Sequence, residues 1–379
     1  MKRIFYITSV DPQVNTGGSI IRRGSIHYFK KAGFNVIVVK PGDVYSYNEN
    51  EGYCTIPGLS YSRINYTLEA LGVVRDKDIK WSINIINYLK QIVGCNDLLF
   101  VTTGGSMAPI IAGDKLKNKT GARLVVNYHD PTNFTTLAGN LYAKTYHVNR
   151  DKTEVGYMKS IDYIITSSEA YKNNLLLKYP FIKDKIKCCY FGYIDPFKTC
   201  SARNKKKYIN IVYGGNMGPI QAPEILAEAV QGIKSVKATF VGRYKTNERL
   251  LKYQNSENVE MLESRDLRSY YQYLDSQADI GFFSLRTYLA NYCVPSKLFD
   301  YINLELPMLA IVKGDAKDII EKNHYGLVAM DTVESLHERI IEMCDSSSLE
   351  DFHSNLVRDK HSWSMQEKSE EMIRIINQM

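Results

Sequence analysis

The sequence predicts an α/β protein of two lobes, each a parallel sheet with helices packed on it, and three observations carry that prediction. Short apolar runs of β character alternate with amphipathic stretches along nearly all of the 379 residues. The alternation stops at a polar, basic segment, 198–207, and restarts with a new βα unit at 208, so the lobe boundary falls after 197. The length exceeds what one small core needs and suits two domains of ordinary size. Composition agrees, with 44% hydrophobic and 23% charged residues, as in ordinary globular proteins. The chain contains no run of 18 or more apolar residues, and its first seven read as a strand rather than as the apolar core of a signal peptide, so a cytoplasmic protein is expected. Its 7 cysteines show no CxxC or Cys/His spacing of a zinc site, and an odd count argues against a disulfide framework.

In the first lobe, residues 2–8 form a β run, 11–15 a loop, and the pair Gly17-Gly18 opens a helix. That helix places Ile20, Ile21, Gly24, Tyr28 and Ala32 on one face and turns Arg22, Arg23, Lys30 and Lys31 largely away from it. Gly33 ends it, and the next strand starts at Phe34. The glycine pair therefore lies at the carboxyl end of a strand, where open parallel sheets bind ligands and backbone must approach closely. It lacks GxGxxG spacing, which leaves no dinucleotide fingerprint. A helix over 81–93, a buried strand over 97–103 leading to Gly104-Gly105-Ser106, and a strand from Ala122 ending in His129-Asp130 continue the pattern. The two titratable groups at that end are candidates for chemistry. A strand over 162–168, a helix stopping before Pro180 and the segment 187–197 close the lobe.

The second lobe opens with a strand over 208–213 that runs into Gly214-Gly215-Asn216-Met217-Gly218 and a helix over 222–234. A glycine-rich turn between strand and helix exposes backbone amides, as a phosphate cradle requires. The next strand ends near Gly242, followed by Arg243 and Lys245 as candidate cations. Strand 259–263, helix 266–274 and the apolar strand 278–284 deliver the chain to Tyr292-Cys-Val-Pro-Ser296-Lys297-Leu-Phe-Asp300-Tyr. Proline is tolerated at a first helical position, so Pro295 reads as a helix start, whose unpaired amides and dipole favour an anion. Lys297 adds a positive charge there, and Asp300 three residues on shares its helix face. A nucleotide sugar offers both partners, a diphosphate for the cation and a ribose diol for the carboxylate. An ordinary capped helix with a solvated Lys/Asp pair fits the spacing equally well.

The segment 294–301 followed by Leu306-Pro307-Met308-Leu309-Ala310 resembles the donor signature of retaining GT-B glycosyltransferases of the family 4 type. The resemblance implies two Rossmann-like lobes with a cleft between them. It also implies a last helix, 365–379, that crosses back to the first lobe, which makes the lobes 1–197 with 362–379 and 198–361. The first would take the acceptor and the second the donor. It implies that Asp300 binds the donor ribose, that Ser296, Lys297, Gly215 and Asn216 lie around the donor, where Arg243 and Lys245 could add charge, that Gly17 and Gly18 face the cleft, and that His129 and Asp130 lie near the transferred sugar. Members use no bound metal or other cofactor, and the sugar keeps its anomeric configuration. Three positions depart from the pattern: Asp300 is usually glutamate, Tyr292 stands where a second glutamate is usual, and Asn216 with Gln221 replaces two loop cations.

Charge is uneven. Residues 1–197 carry 25 Lys and Arg against 16 Asp and Glu, whereas 198–379 carry 23 against 25. The basic half suits an acidic partner, and without any nucleic-acid-binding motif an anionic membrane surface fits best, docked through Arg22, Arg23, Lys30 and Lys31. The acceptor expected with it is a lipid-linked saccharide of cell-surface polysaccharide synthesis. A GT-B epimerase of nucleotide sugars and an inactive GT-B docking subunit remain as alternatives. Asp76-Lys77-Asp78 matches the DxD of metal-dependent transferases of another fold but falls in a polar connection, where it reads as chance.

Overall fold

The computed structural model describes residues 2–14, 16–59, 63–103, 105–132, 143–199, 207–286, 288–344 and 346–379. They form two compact units, Met1–Ile194 with Lys368–Met379, and Asp195–Glu367. Asn15, Gly104 and most of the linker, 200–206, lie outside the described residues.

The first unit is built on β1 (Arg3–Thr8), β2 (Asn35–Pro41), β3 (Ser46–Asn48), β4 (Tyr53–Ile56), β5 (Leu98–Thr103), β6 (Arg123–Tyr128), β7 (Tyr163–Thr166) and β8 (Ile186–Cys188). Their order is β3-β4-β2-β1-β5-β6-β7-β8, parallel throughout except for β3 against β4. β5 is buried at every position, which explains why its sequence is continuously apolar before the closing threonines rather than alternating. β1 lies at the centre, with β2 on one side and β5 on the other, so the chain leaves in opposite directions from the carboxyl ends of β1 and β5. Such a reversal opens a crevice in a parallel sheet. Below it, Ile4, Tyr6, Phe29, Phe34 and Phe100 pack with Met372, Ile375 and Ile376 of the terminal helix Met365–Gln378, which thus returns to the first unit as expected. Lys2 Nζ adds a hydrogen bond of 2.9 Å to the Ile376 carbonyl.

Two sequence-based expectations need correction here. The helix Gly17–Lys31 turns Arg22, Ser25, Ile26 and Phe29 inward, whereas Ile20, Ile21 and Tyr28 are only half-buried and Ala32 is exposed. Arg22 is 3% exposed, so it is no surface cation. The reason is where the first turn sits: it covers the polar carboxyl end of β5, where Arg22 Nε donates to Thr102 Oγ1 at 3.1 Å and Nη1 to the Gly18 carbonyl at 2.8 Å. Asp76 and Asp78 are also buried, at 0% and 2% exposure, not solvated in a polar connection. Asp76 accepts from the amides of Asp78 and Met107 and from Arg150 Nη2, which makes it a structural anchor.

The second unit contains β9 (Ile209–Gly215), β10 (Val236–Gly242), β11 (Val259–Leu262), β12 (Ile280–Ser284), β13 (Met308–Ile311) and β14 (Gly326–Val328). All neighbours are parallel in the order β11-β10-β9-β12-β13-β14. Counted from β9 this is the Rossmann order, and its switch point falls between β9 and β12. Ile211, Tyr213, Leu226, Phe240, Phe282 and Leu309 fill its core. The helix expected over 222–234 is shorter, Glu224–Ala229, because Ala222 and Gly232 take φ of +35° and +82° and turn the chain on either side. Among the described residues no helix is long and apolar enough to cross a membrane.

Candidate functional site

The carboxyl end of β9, at the switch point of the second sheet, is Tyr213-Gly214-Gly215. A Cβ on Gly214 would collide with the hydroxyl of Tyr270. One on Gly215, whose φ is +110°, would stand 3.3 Å from Lys297 Cε and Nζ. Glycine is therefore needed at both positions, and at Gly215 for its left-handed backbone as well. The loop beyond is pinned by its own chain and by two neighbours. Tyr213 Oη donates to the Asn216 carbonyl, Asn247 Nδ2 to the Met217 carbonyl at 3.0 Å, and Ser284 Oγ to the Gln221 carbonyl. Gly215 and Asn216 stay exposed on this fixed loop.

Facing the loop is the helix Ser296–Asn303. Pro295 caps it from just outside, with φ −62° and ψ 136°, so the first helical residue is Ser296, one position later than the sequence predicts. Leu298, Phe299, Tyr301 and Ile302 anchor it in the core and leave Ser296, Lys297 and Asp300 half-buried on the open side. Lys297 Nζ stands 5.2 Å from the centroid of the Tyr213 ring. Among the described residues this ammonium has no hydrogen-bond or ion-pair partner. Asp300 Oδ1 accepts a hydrogen bond of 2.5 Å from Tyr271 Oη on the helix Leu267–Gln277. Burial lowers the pKa of Lys297 against the pull of Asp300. Burial pushes the Asp300 carboxyl up to about 6, against the opposing hydrogen bond from Tyr271 and the charge of Lys297.

That last shift carries a stability cost of known sign. A carboxyl whose folded pKa lies above its unfolded value, near 4, binds its proton more tightly when folded, so the fold gains as pH drops through 6 and loses as Asp300 ionises. Asp300→Asn keeps an acceptor for Tyr271 and removes the charge. It is expected to melt at a higher temperature than the parent at pH 7.5, with the difference fading towards pH 4; a lower melting temperature at pH 7.5 contradicts this account.

The other candidate cations differ from each other. β10 ends at Gly242, whose φ is +154° and where a Cβ would meet the Gly215 carbonyl at 2.5 Å, so Arg243 leaves the sheet beside the glycine loop. Its exposed guanidinium has no hydrogen-bond or ion-pair partner among the described residues. Lys245 is exposed too but is paired with Glu263 at 2.5 Å.

In the first unit, Thr16 Oγ1 caps the helix that starts at Gly17 by accepting from the Ser19 amide at 3.3 Å, and the Gly18 carbonyl is held by Arg22. His129 follows β6 at its carboxyl end, is 4% exposed and lies 4.8 Å from the Phe191 ring. Neither ring nitrogen has a hydrogen-bond partner among the described residues. Burial, and then the Arg22 charge, hold the imidazole well below its ordinary pKa, so it is neutral at pH 7. Asp130 is less buried and is felt electrostatically by Arg22. Sequence periodicity places neither Arg22 nor Tyr271 at these edges. A basic residue one turn into a helix that follows a β1 strand end was the available signal for Arg22; Tyr271 left none.

Two parallel Rossmann-like units joined in one chain constitute the GT-B fold, with a cation and a carboxylate over a glycine loop at the switch point of the second. Over its full length the chain is similar to sucrose-phosphate synthase from Thermosynechococcus elongatus, at 15% identity and TM-score 0.75, covering 100% of this chain and 99% of that one. It is similar also to Anabaena HepE, solved in complex with UDP, at 13% identity and TM-score 0.71 with 100% of both chains covered. A third is WaaG, a glycosyltransferase involved in lipopolysaccharide biosynthesis, at 13% identity and TM-score 0.69 with 98% of this chain and 99% of that one covered. No protein-family model matches the chain, and no curated protein matches it by sequence.

Proposed function

We propose that the chain is a retaining, family 4 type glycosyltransferase that moves a sugar from a nucleoside-diphosphate sugar to a saccharide hydroxyl. The observation that carries this reading is the Lys297 ammonium beside an exposed glycine loop, without a hydrogen-bond or ion-pair partner among the described residues, with a half-buried Asp300 on the same helix face. Cations and amides fixed before the substrate arrives stabilise the charge that grows on a departing diphosphate, because they need no reorganisation at the moment of reaction. Lys297, Arg243, the Gly215 amide and the start of the helix at Ser296 take that role, and Asp300 takes the ribose hydroxyls. HepE has been solved with UDP and with UDP-glucose, which supports a nucleotide-sugar donor for a chain of the same fold. No metal is assigned to the site. Incubation with nucleotide sugars and a lipid-linked saccharide, read by mass spectrometry, tests the reading: an acceptor heavier by one sugar is expected. Tyr292 in place of the usual acid favours a second reading, a chain that binds the donor without transfer, and binding with no product would select it.

His129 is assigned to the transferred sugar. A neutral imidazole offers one donor and one acceptor, which suits a hydroxyl better than a phosphate. His129→Ala is expected to lower turnover far more than donor affinity; if both stay normal, the residue is structural.

The acceptor is assigned to lipid because the first unit keeps its basic surface even without Arg22. Arg23, Lys30 and Lys31 are exposed, and each basic residue near an anionic leaflet contributes about 1 kcal/mol. Reversing these three charges should abolish sedimentation with anionic vesicles, and unchanged sedimentation would remove the membrane from the account.

A further inference from the structure

We propose that Tyr271 is a positioning residue that fixes the Asp300 carboxylate for a nucleoside ribose; the inference rests on the reading of this cluster as a donor site. Asp300 is one methylene shorter than the glutamate usual in the resembled signature, so its carboxylate needs another hold to stay in one orientation. Tyr271 supplies it. Burial and the Asp300 charge raise the phenol's pKa far above neutrality, so the hydroxyl stays protonated and donates, and the carboxylate accepts. The phenol is itself held, because its ring meets Phe197 edge to face with centroids 5.8 Å apart. The contact occupies Oδ1 and leaves Oδ2 for the ligand. Donation to the ionised form also favours that form, which is the one able to accept from two ribose hydroxyls.

The groups facing the carboxylate come from two helices, and one further charge acts on Tyr271. Lys297 and Tyr301 lie on its own helix, Tyr270 and Tyr271 come from the helix Leu267–Gln277, and Asp195 reaches Tyr271 from the segment that carries Phe197. Lys297 and Tyr271 favour ionisation, and burial opposes it. Removing the phenol hydroxyl alone therefore moves the titration of Asp300 upward.

Tyr271→Phe keeps the ring on Phe197 and deletes only the donor. Two measurements are made on the full chain: the affinity for uridine, guanosine and adenosine diphosphates by calorimetry from pH 5 to 8, and the carboxyl titration of Asp300 by carbon NMR without ligand. The expected result is an upward shift of both midpoints, with an affinity at pH 6.5 lower by about tenfold. Unchanged midpoints in both measurements overturn the proposal, since a role in packing alone would not hold the titration in place. If the parent chain binds none of the three diphosphates yet the NMR midpoint rises in Tyr271→Phe, the donor reading fails while the hold of Tyr271 on Asp300 stands. If the parent binds and the variant's pH profile overlays it, the donor reading stands and the inference about Tyr271 fails.

Discussion

Lys297→Ala is expected to weaken a nucleoside diphosphate at least tenfold and to leave the affinity of the bare nucleoside nearly unchanged. The ammonium has no hydrogen-bond or ion-pair partner among the described residues, stands beside the Gly215 backbone and over the Tyr213 ring, and has been partly stripped of water by burial. A cation in that state gains more from a phosphate than a solvated one, and hydrogen bonds to charged groups contribute about 1.5–3 kcal/mol each. Asp300→Ala should behave in the opposite way. Its carboxylate is assigned to the ribose, so nucleoside and diphosphate should weaken together. Calorimetry with both ligands on both variants separates the roles, and equal losses for nucleoside and diphosphate in Lys297→Ala would show that another group holds the phosphates. Below about pH 6 the Asp300 contribution should fade in the parent chain, because protonation removes the acceptor.

Arg150→Met is expected to destabilise the first unit by about 3–5 kcal/mol, the cost of breaking a buried ion cluster by removing one sign of charge. Arg150 is fully buried. Its Nε meets Glu69 Oε1 at 2.5 Å, Nη2 meets Asp76 Oδ2 at 3.0 Å, and Nη1 donates to the Thr132 carbonyl at 2.7 Å. Without the guanidinium, two buried carboxylates share a site with no cation between them, although Asp76 keeps its amide donors and Glu69 keeps the Lys77 amide at 2.9 Å. Burial already raises the pKa of Glu69 against the pull of Arg150, so in the variant Glu69 would take up a proton more readily still. The deficit should therefore shrink as pH is lowered. Urea denaturation at pH 7.5 and pH 5.5 reads both effects, and a loss under 1 kcal/mol would mean that the cluster contributes no net stability.

How much of this was legible in the sequence depends on whether the signal was local. Residues 98–101 and 280–283 show themselves as buried parallel strands by being apolar on both faces, and the turns at Gly33 and Gly215 by the residue type that a positive φ demands. The cluster of Gly215, Lys297 and Asp300 was legible in part, because Lys297 and Asp300 share a helix face at a spacing of three and Gly215 closes a strand. Contacts between distant segments were not legible. Arg150 lies 81 residues from Glu69 and 74 from Asp76, so each reads alone as a solvated charge, and the DxD pattern reads as chance. Arg22 failed for the same reason: periodicity assigns faces by apolarity, and a helix that covers polar strand ends can turn a cation inward. The hairpin of Ser46–Asn48 and Tyr53–Ile56 has strands too short, and at the edge too half-buried, for alternation to register. Tyr271 sits in an amphipathic helix whose pattern does not distinguish a tyrosine that packs from one that also donates to a carboxylate.

The central claim is that the second unit holds a nucleoside-diphosphate sugar between Lys297 and Asp300. A binding screen of UDP-, GDP-, ADP- and CMP-sugars by thermal shift, repeated on a Lys297→Ala, Asp300→Ala double variant, tests it most directly. At least one diphosphate sugar is predicted to raise the melting temperature of the parent chain saturably, with no shift in the double variant. No shift with any of the four, or the same shift in the double variant, would contradict it.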